Sequence, residues 1–166
     1  MAERLIFTDK EANFLKTLVD NDVDFMIVGL SAAILQGAPA ITQDIDLWVR
    51  DAQDSGFLSA LKKVGAVLVP QVGLNPPMLA GDSVRLFDLV IQMSGLGSFA
   101  EELAHAIEVE IGDVTVRVLS LERIIVSKEA ANRQKDLLVL PVLRDAAIAL
   151  REVRAKPRSG SRRKKS

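Results

Sequence analysis

Two aspartates, Asp44 and Asp46, stand two residues apart at the head of the apolar run Ile45-Asp46-Leu47-Trp48-Val49. On an extended strand side chains alternate, so both carboxylates share one face and Ile45 turns to the other. Paired carboxylates repel unless a cation neutralises them, and Mg²⁺ takes carboxylate oxygens together with substrate phosphate oxygens and water. Upstream, the apolar stretch Asp24–Val28 ends at Gly29-Leu30-Ser31, and Ser31–Leu35 has a helical pattern. Orphan N–H groups at a helix start attract anionic oxygens. Gly29 lets a ligand approach the backbone, and the Ser31 hydroxyl adds a donor. Asp88 is a third acid, between Phe87 and Leu89 in an apolar segment. Its desolvation calls for a partner, either a cation shared with Asp44 and Asp46 or the nearby Arg85. Singly, each feature has a plain reading: carboxylates facing water, a serine that only caps a helix. Together they predict divalent-metal chemistry on a nucleotide.

The elements that must position these residues follow from periodicity and punctuation. Thr8 with Glu11 forms a capping box, and Phe14, Leu15, Leu18 and Val19 make the apolar stripe of a first helix ending at Asn21-Asp22. Gly37 and Pro39 stop the short helix after Ser31, and Ile45–Val49 is the next strand. Asp51–Val64 reads as a helix, Gly65–Val69 as a strand, and the Pro- and Gly-rich remainder to residue 83 as a long loop. Val84–Met93 reads as a strong strand, followed by the Ser94-Gly95-Leu96-Gly97 loop and one or two helical turns over Phe99–His105. Gly112-Asp113 between two alternating runs, Ile107–Ile111 and Val114–Val118, is a hairpin signal. Ser120 caps a long helix expected over Leu121–Leu140, and Pro141 marks a kink or the first turn of another helix reaching about Arg154. No internal repeat is visible. His105 reads as a surface residue, and Trp48, on the face of Asp46, as either a base-stacking or a packing residue.

Composition narrows the class. The 166 residues are 49% hydrophobic but only 4% aromatic, a Leu/Val/Ile/Ala core suited to one mixed α/β domain. Cysteine is absent, which removes disulfides and thiolate metal sites. The charged N-terminus lacks an apolar signal core and the apolar runs are short, so the expectation is a cytoplasmic protein with no membrane span. Net charge is −1, unevenly placed: eight basic residues against Glu152 alone give 151–166 a charge of +7, leaving −8 on 1–150. The expected organisation is a domain over 1–154 and a basic, disordered tail over 155–166. Such a tail can touch RNA through salt-dependent attraction or simply be solvated.

The order strand, Gly-Leu-Ser turn, helix, Asp-Ile-Asp strand and later Asp strand resembles the nucleotidyltransferase fold of the DNA polymerase beta superfamily. The segments that carry the likeness are 27–49, the Asp88 strand and 120–140. Within that superfamily the chain looks most like small prokaryotic nucleotidyltransferases related to abortive-infection toxins. The resemblance implies an α/β fold with a small mixed sheet flanked by helices and with C-terminal helices. It implies that Asp44, Asp46 and Asp88 are catalytic metal ligands for Mg²⁺ (or Mn²⁺), with Asp88 also drawing the proton from the acceptor hydroxyl. It implies that Gly29, Leu30, Ser31 and Lys128 bind the nucleotide, with Arg133 and Lys135 near the triphosphate or acceptor. The implied reaction moves NMP from an NTP such as ATP to a hydroxyl on RNA, protein or a small molecule, and a homo-oligomer is one way to complete so small a site. Leu30 stands where many relatives have a second Gly, Gln36 where they have His, and Ala40 where they have Arg. Those departures support an alternative: an inactive, binding or regulatory protein of toxin–antitoxin type.

Overall fold

Thr8 opens the first helix, α1 (Asp9–Asp20), and its N–H donates to the Glu11 carboxylate at 2.9 Å, satisfying an orphan donor at the helix start. A computed structural model describes residues 7–155. The basic segment 156–166, the expected disordered tail but for its first residue, lies outside the described residues, and that first residue, Ala155, is helical. The strands β1 (Phe25–Val28), β2 (Ile45–Val49), β5 (Phe87–Val90), β6 (Ala106–Ile111) and β7 (Val114–Leu119) form one mixed sheet in the order β5-β2-β1-β7-β6. β1 runs antiparallel to β2 and parallel to β7, and β2 runs parallel to β5. All four residues of β1 are buried, because the central strand is covered on both faces. β6 and β7 form the expected hairpin across Gly112-Asp113.

Helix α2 (Gly29–Leu35) packs on β1 and β2. Helix α3 (Ser55–Lys63) is capped by the Asp54 carboxylate, which accepts from Phe57 N–H at 3.1 Å, and packs on α1. Phe14, Leu15 and Leu18 of α1 are fully buried, and Phe14 meets Phe87 edge-on at 4.9 Å. This contact ties α1 to the strand that carries Asp88. Among the described residues no helix is long and apolar enough to cross a membrane.

Three stretches differ from the sequence-based expectation. Within 65–83 the chain forms a second, small antiparallel hairpin, β3 (Val67–Val69) with β4 (Met78–Ala80), rather than one strand and a loop. The segment read as a strand over Val84–Met93 contracts to Phe87–Val90, because a 3₁₀ turn occupies Asp82–Val84. The helix expected over Leu121–Leu140 is two: α5 (Leu121–Ala131) and α6 (Gln134–Ala155). The break is at Asn132, which adopts the left-handed conformation (φ 50°) that Asn tolerates better than most residues. Asp136 then accepts from the Arg133 N–H at 3.1 Å and so starts the new helix. Pro141 lies inside α6; it removes the hydrogen bond to the Leu137 carbonyl, on a residue that is half exposed and open to water. Helix α4 (Phe99–Leu103) occupies the predicted short turn, capped by Ser98.

Candidate active site

The sheet register sets the site. Asp46 lies opposite Val28 on one side and opposite Asp88 on the other. Strands in a sheet are about 4.8 Å apart, so two carboxylates at one register position on neighbouring strands stand side by side. Like charges placed so weaken a sheet. Asp44 sits immediately before β2 rather than on it, exposed, where Ile45 N–H donates to Leu86 O at 2.7 Å and joins the strand to the turn before β5.

The electrostatics follow from this packing. Burial first, then the neighbouring Asp88 and Asp44, raise the Asp46 carboxyl to about 6 against the opposing pull of Lys128 and Lys135. Asp88 is also raised, by partial withdrawal from solvent and then by Asp44. The alternative in which Arg85 pairs with Asp88 is not what the structure shows: no ion pair to Asp88 occurs among the described residues.

The turn between β1 and α2 is fitted to Asp46. Gly29 has φ +65°, and a Cβ there would overlap Oδ2 of Asp46. Glycine is favoured here by the backbone conformation, and a side chain would have to turn the Asp46 carboxylate aside. Ser31 is fully buried; its hydroxyl donates to Val28 O at 2.8 Å and accepts from the Asp46 N–H at 3.1 Å. The sequence suggested that this hydroxyl faces a phosphate. In the structure its proton is engaged by Val28 and its contribution is to hold the Asp46 backbone. Leu30 is half-buried and packs against the core.

Lys128, on α5, projects inward with its side chain 18% exposed, and its Nζ lies 3.1 Å from Oδ1 of Asp136. Asp136 is fully buried and takes a second cation, Arg133 Nε, at 2.7 Å. Burial alone would raise Asp136; hydrogen bonds from Arg133 and Lys128 overcome it and bring the group to about 2. A cleft of about 380 Å³ brings Gly29, Asp46, Lys128 and Arg133 together, with Gln92, Met93, Ser94 and Ser127 as further walls. Asp44, Asp88, Leu30 and Ser31 do not line it; the first two act on it through their charge. Asp136 and the Gln92–Ser94 wall were not among the candidate site residues read from sequence. Trp48 is buried and meets Phe99 edge-on at 5.6 Å, which makes it a packing residue, and His105 is exposed in the turn after α4.

Among the described residues no three His, Cys, Asp or Glu side chains close into a metal cage. The donor set is nonetheless of the kind Mg²⁺ uses, since that ion binds through one or two carboxylates and completes its shell with water and substrate phosphate. Two side-by-side carboxylates with raised proton affinity and only part of the compensating positive charge are chemically suited to it.

No protein-family model matches the sequence, and no curated protein matches it significantly. Solved structures do match. One is the crystal structure of ANT(2'')-Ia in complex with adenylyl-2''-tobramycin, with a TM-score of 0.56 at 16% identity, over 87% of this chain and 96% of that one. Another is the solution structure of the antibiotic-resistance factor ANT(2'')-Ia, with a TM-score of 0.52 at 14% identity, over 87% and 95%. At such identity the likeness is one of fold: a mixed sheet flanked by helices, as in nucleotidyltransferases.

Proposed function

We propose that the protein transfers a nucleotidyl group from an NTP to a hydroxyl of a small molecule. The observation that carries this reading is the pair Asp46 and Asp88 at one register position of parallel strands, with Asp46 lining the cleft beside Gly29 and Lys128. The likeness in fold to ANT(2'')-Ia, solved with an adenylyl-aminoglycoside, supports ATP as donor and a small polyhydroxylated acceptor over RNA or protein.

Asp44, Asp46 and Asp88 would hold Mg²⁺ or Mn²⁺. Divalent ions in such sites stabilise charge on the attacking and leaving oxygens of an in-line displacement. The chain's own residues do the rest. The Gly29 backbone admits the phosphates close to Asp46, and Lys128 and Arg133 balance triphosphate charge. Asp88, whose proton affinity is raised, accepts the proton of the acceptor hydroxyl. The acceptor oxygen forms a bond to the α-phosphorus, the bond from that phosphorus to the β-phosphate oxygen breaks, and pyrophosphate leaves. Most of the rate gain in such a reaction is positioning and electrostatics.

The test is incubation with α-labelled NTPs and Mg²⁺ or Mn²⁺, in parallel with aminoglycosides, with total RNA and with protein. Label on the aminoglycoside, with stoichiometric pyrophosphate, is expected. Absence of labelling with every acceptor, or labelling that survives the double change Asp44→Ala and Asp46→Ala, sinks the proposal. Label on RNA or protein alone would place the chain with the abortive-infection-type relatives instead.

A further inference from the structure

Gln36 stands one residue past the end of α2, in the segment that begins at the Gly29 turn, and is only 9% exposed. Its side chain makes three hydrogen bonds, all to backbone. Nε2 donates to Ala32 O at 3.0 Å and to Leu119 O at 2.9 Å, and Oε1 accepts from Leu121 N–H at 3.0 Å. The arrangement fixes the amide orientation, because the flipped form would face two carbonyl oxygens with a third. Leu119 ends β7, and Leu121 is the first residue of α5. Its N–H is one of the orphan donors of a helix start, and Ser120, at the cap position, makes no side-chain cap. One buried amide therefore supplies the missing cap of α5 and anchors it to the end of α2.

These two helices carry the two sides of the cleft. Gly29, against Asp46, begins α2; Lys128, two turns beyond Leu121, projects from α5. We infer that Gln36 is a positioning residue, the clamp that sets the distance between the Gly29–Asp46 wall and Lys128. The inference rests on the proposed nucleotide site for what the cleft holds. It also changes the meaning of the departure at position 36. The side chain is buried and fully engaged by backbone, so it is no vacancy left by a missing basic substrate contact. Glutamine offers two donors and an acceptor. Histidine keeps one donor and one acceptor across the same junction, and leucine keeps none.

The experiment compares full-length wild type, Gln36→Leu, Gln36→His and Phe57→Leu. Phe57 is fully buried in α3, away from the cleft, and its truncation is a control for general loss of stability. Amide hydrogen exchange is followed across the chain, and Mg²⁺·ATP affinity is measured by calorimetry well below each variant's melting temperature. Gln36→Leu is expected to speed exchange at Leu121–Ile124 at least tenfold and to weaken Mg²⁺·ATP about tenfold. Phe57→Leu lowers the melting temperature with less than a twofold change in affinity, and Gln36→His recovers most of the loss. Unchanged exchange at the start of α5 in Gln36→Leu, or affinity losses that track melting temperature in all variants, overturn the inference. If wild type binds no Mg²⁺·ATP, the functional reading fails by itself, and the exchange arm alone decides the clamp.

Discussion

The sheet carries two cross-strand pairs of charged residues that teach opposite lessons. On β6 and β7, Glu108 faces Arg117, opposite signs on exposed residues, which is the arrangement that stabilises a sheet. On β2 and β5, Asp46 faces Asp88, like signs with Asp46 half-buried and Asp88 exposed, which destabilises one. Each pair belongs to a cleft, or stands beside one, of about 380 Å³. The far cleft, lined also by Asp22, Asp24 and Phe25 at the beginning of β1, holds exposed charges that water already serves. The near cleft, at the end of β1, gathers a left-handed glycine packed against the Asp46 carboxylate, a carboxyl raised to about 6 and a lysine held by a buried aspartate. Equal volume with unequal chemistry shows that arrangement, not size, marks the functional end. Local rules broken without a structural benefit are where function is expected.

The largest expected effect breaks that pair. Asp46→Asn should reduce nucleotidyl transfer by roughly 10³-fold or more, about 4 kcal/mol of transition-state stabilisation, while Arg117→Ala at the far pair leaves the rate unchanged. The same change should stabilise the metal-free fold. A carboxyl raised from 3.8 to about 6 favours the protonated folded state, so its penalty is absent below pH 4, grows between pH 4 and 6 and is complete above. At pH 7 the removed penalty is about 3 kcal/mol at most, read by urea denaturation. Mg²⁺ should stabilise wild type at pH 7 and leave Asp46→Asn unmoved. An inactive variant less stable than wild type would mean that the acid pair is not strained.

Gly29→Ala comes next. It introduces both a left-handed alanine and an overlap with Asp46, so it should cost about 1–3 kcal/mol of stability and, by displacing the carboxylate, roughly 100-fold in rate. A near-normal rate would show that Asp46 has freedom the packing denies.

What the sequence disclosed about this comparison was uneven. Asp44-Ile45-Asp46 after a glycine turn is local, and period-two alternation with a strand–turn–helix pattern suffices to read it. That Asp88 stands opposite Asp46 depends on β2 and β5 pairing in parallel across some forty residues, and only the likeness to a known fold pointed there. Ser31 was read outward because a serine after a glycine turn offers a donor either way; burial decides which. The break at Asn132 was hidden because Ala130, Ala131 and the residues around them are compatible with one long helix, and the left-handed turn depends on Asp136 meeting Lys128 and Arg133 in three dimensions. Gln36 looked like a missing histidine in sequence and is a backbone clamp in space.

Smaller effects test the support behind Lys128. Asp136→Ala leaves Lys128 without its buried partner and Arg133 without its bidentate one, so it should destabilise the fold by about 3 kcal/mol and raise KM for the NTP more than it lowers kcat. The pH dependence carries the opposite sign to that of Asp46. Asp136 is lowered from 3.8 to about 2, so its stabilisation is complete above pH 4 and is lost as pH falls toward 2. That amounts to about 2 kcal/mol. With Asp46 losing its penalty over pH 6 to 4, the metal-free protein should be most stable near pH 4, and Asp136→Asn should flatten the acid limb alone. A wild-type optimum above pH 6 without divalent ions would contradict the Asp46 assignment, and an acid limb unchanged in Asp136→Asn would contradict the Asp136 one.

The smallest effect sharpens the comparison from the other side. Asp24, in the far cleft, pairs with Arg50 at 3.3 Å, and both side chains are about half exposed. Such a pair contributes about 0–1 kcal/mol after solvent screening. Arg50 keeps other anchors if Asp24 is removed: its N–H donates to the Asp24 backbone carbonyl, and its guanidinium lies 5.2 Å from the Phe99 ring centroid. Asp24→Ala should therefore lower stability by less than about 1 kcal/mol and leave transfer within twofold of wild type. Phe99 also packs on Trp48, two residues beyond Asp46 on the same strand face, so the two ends of the sheet are joined through one aromatic contact. A larger loss of activity in Asp24→Ala would show that this contact transmits changes to Asp46, and the far cleft would then have to be treated as part of the same machine.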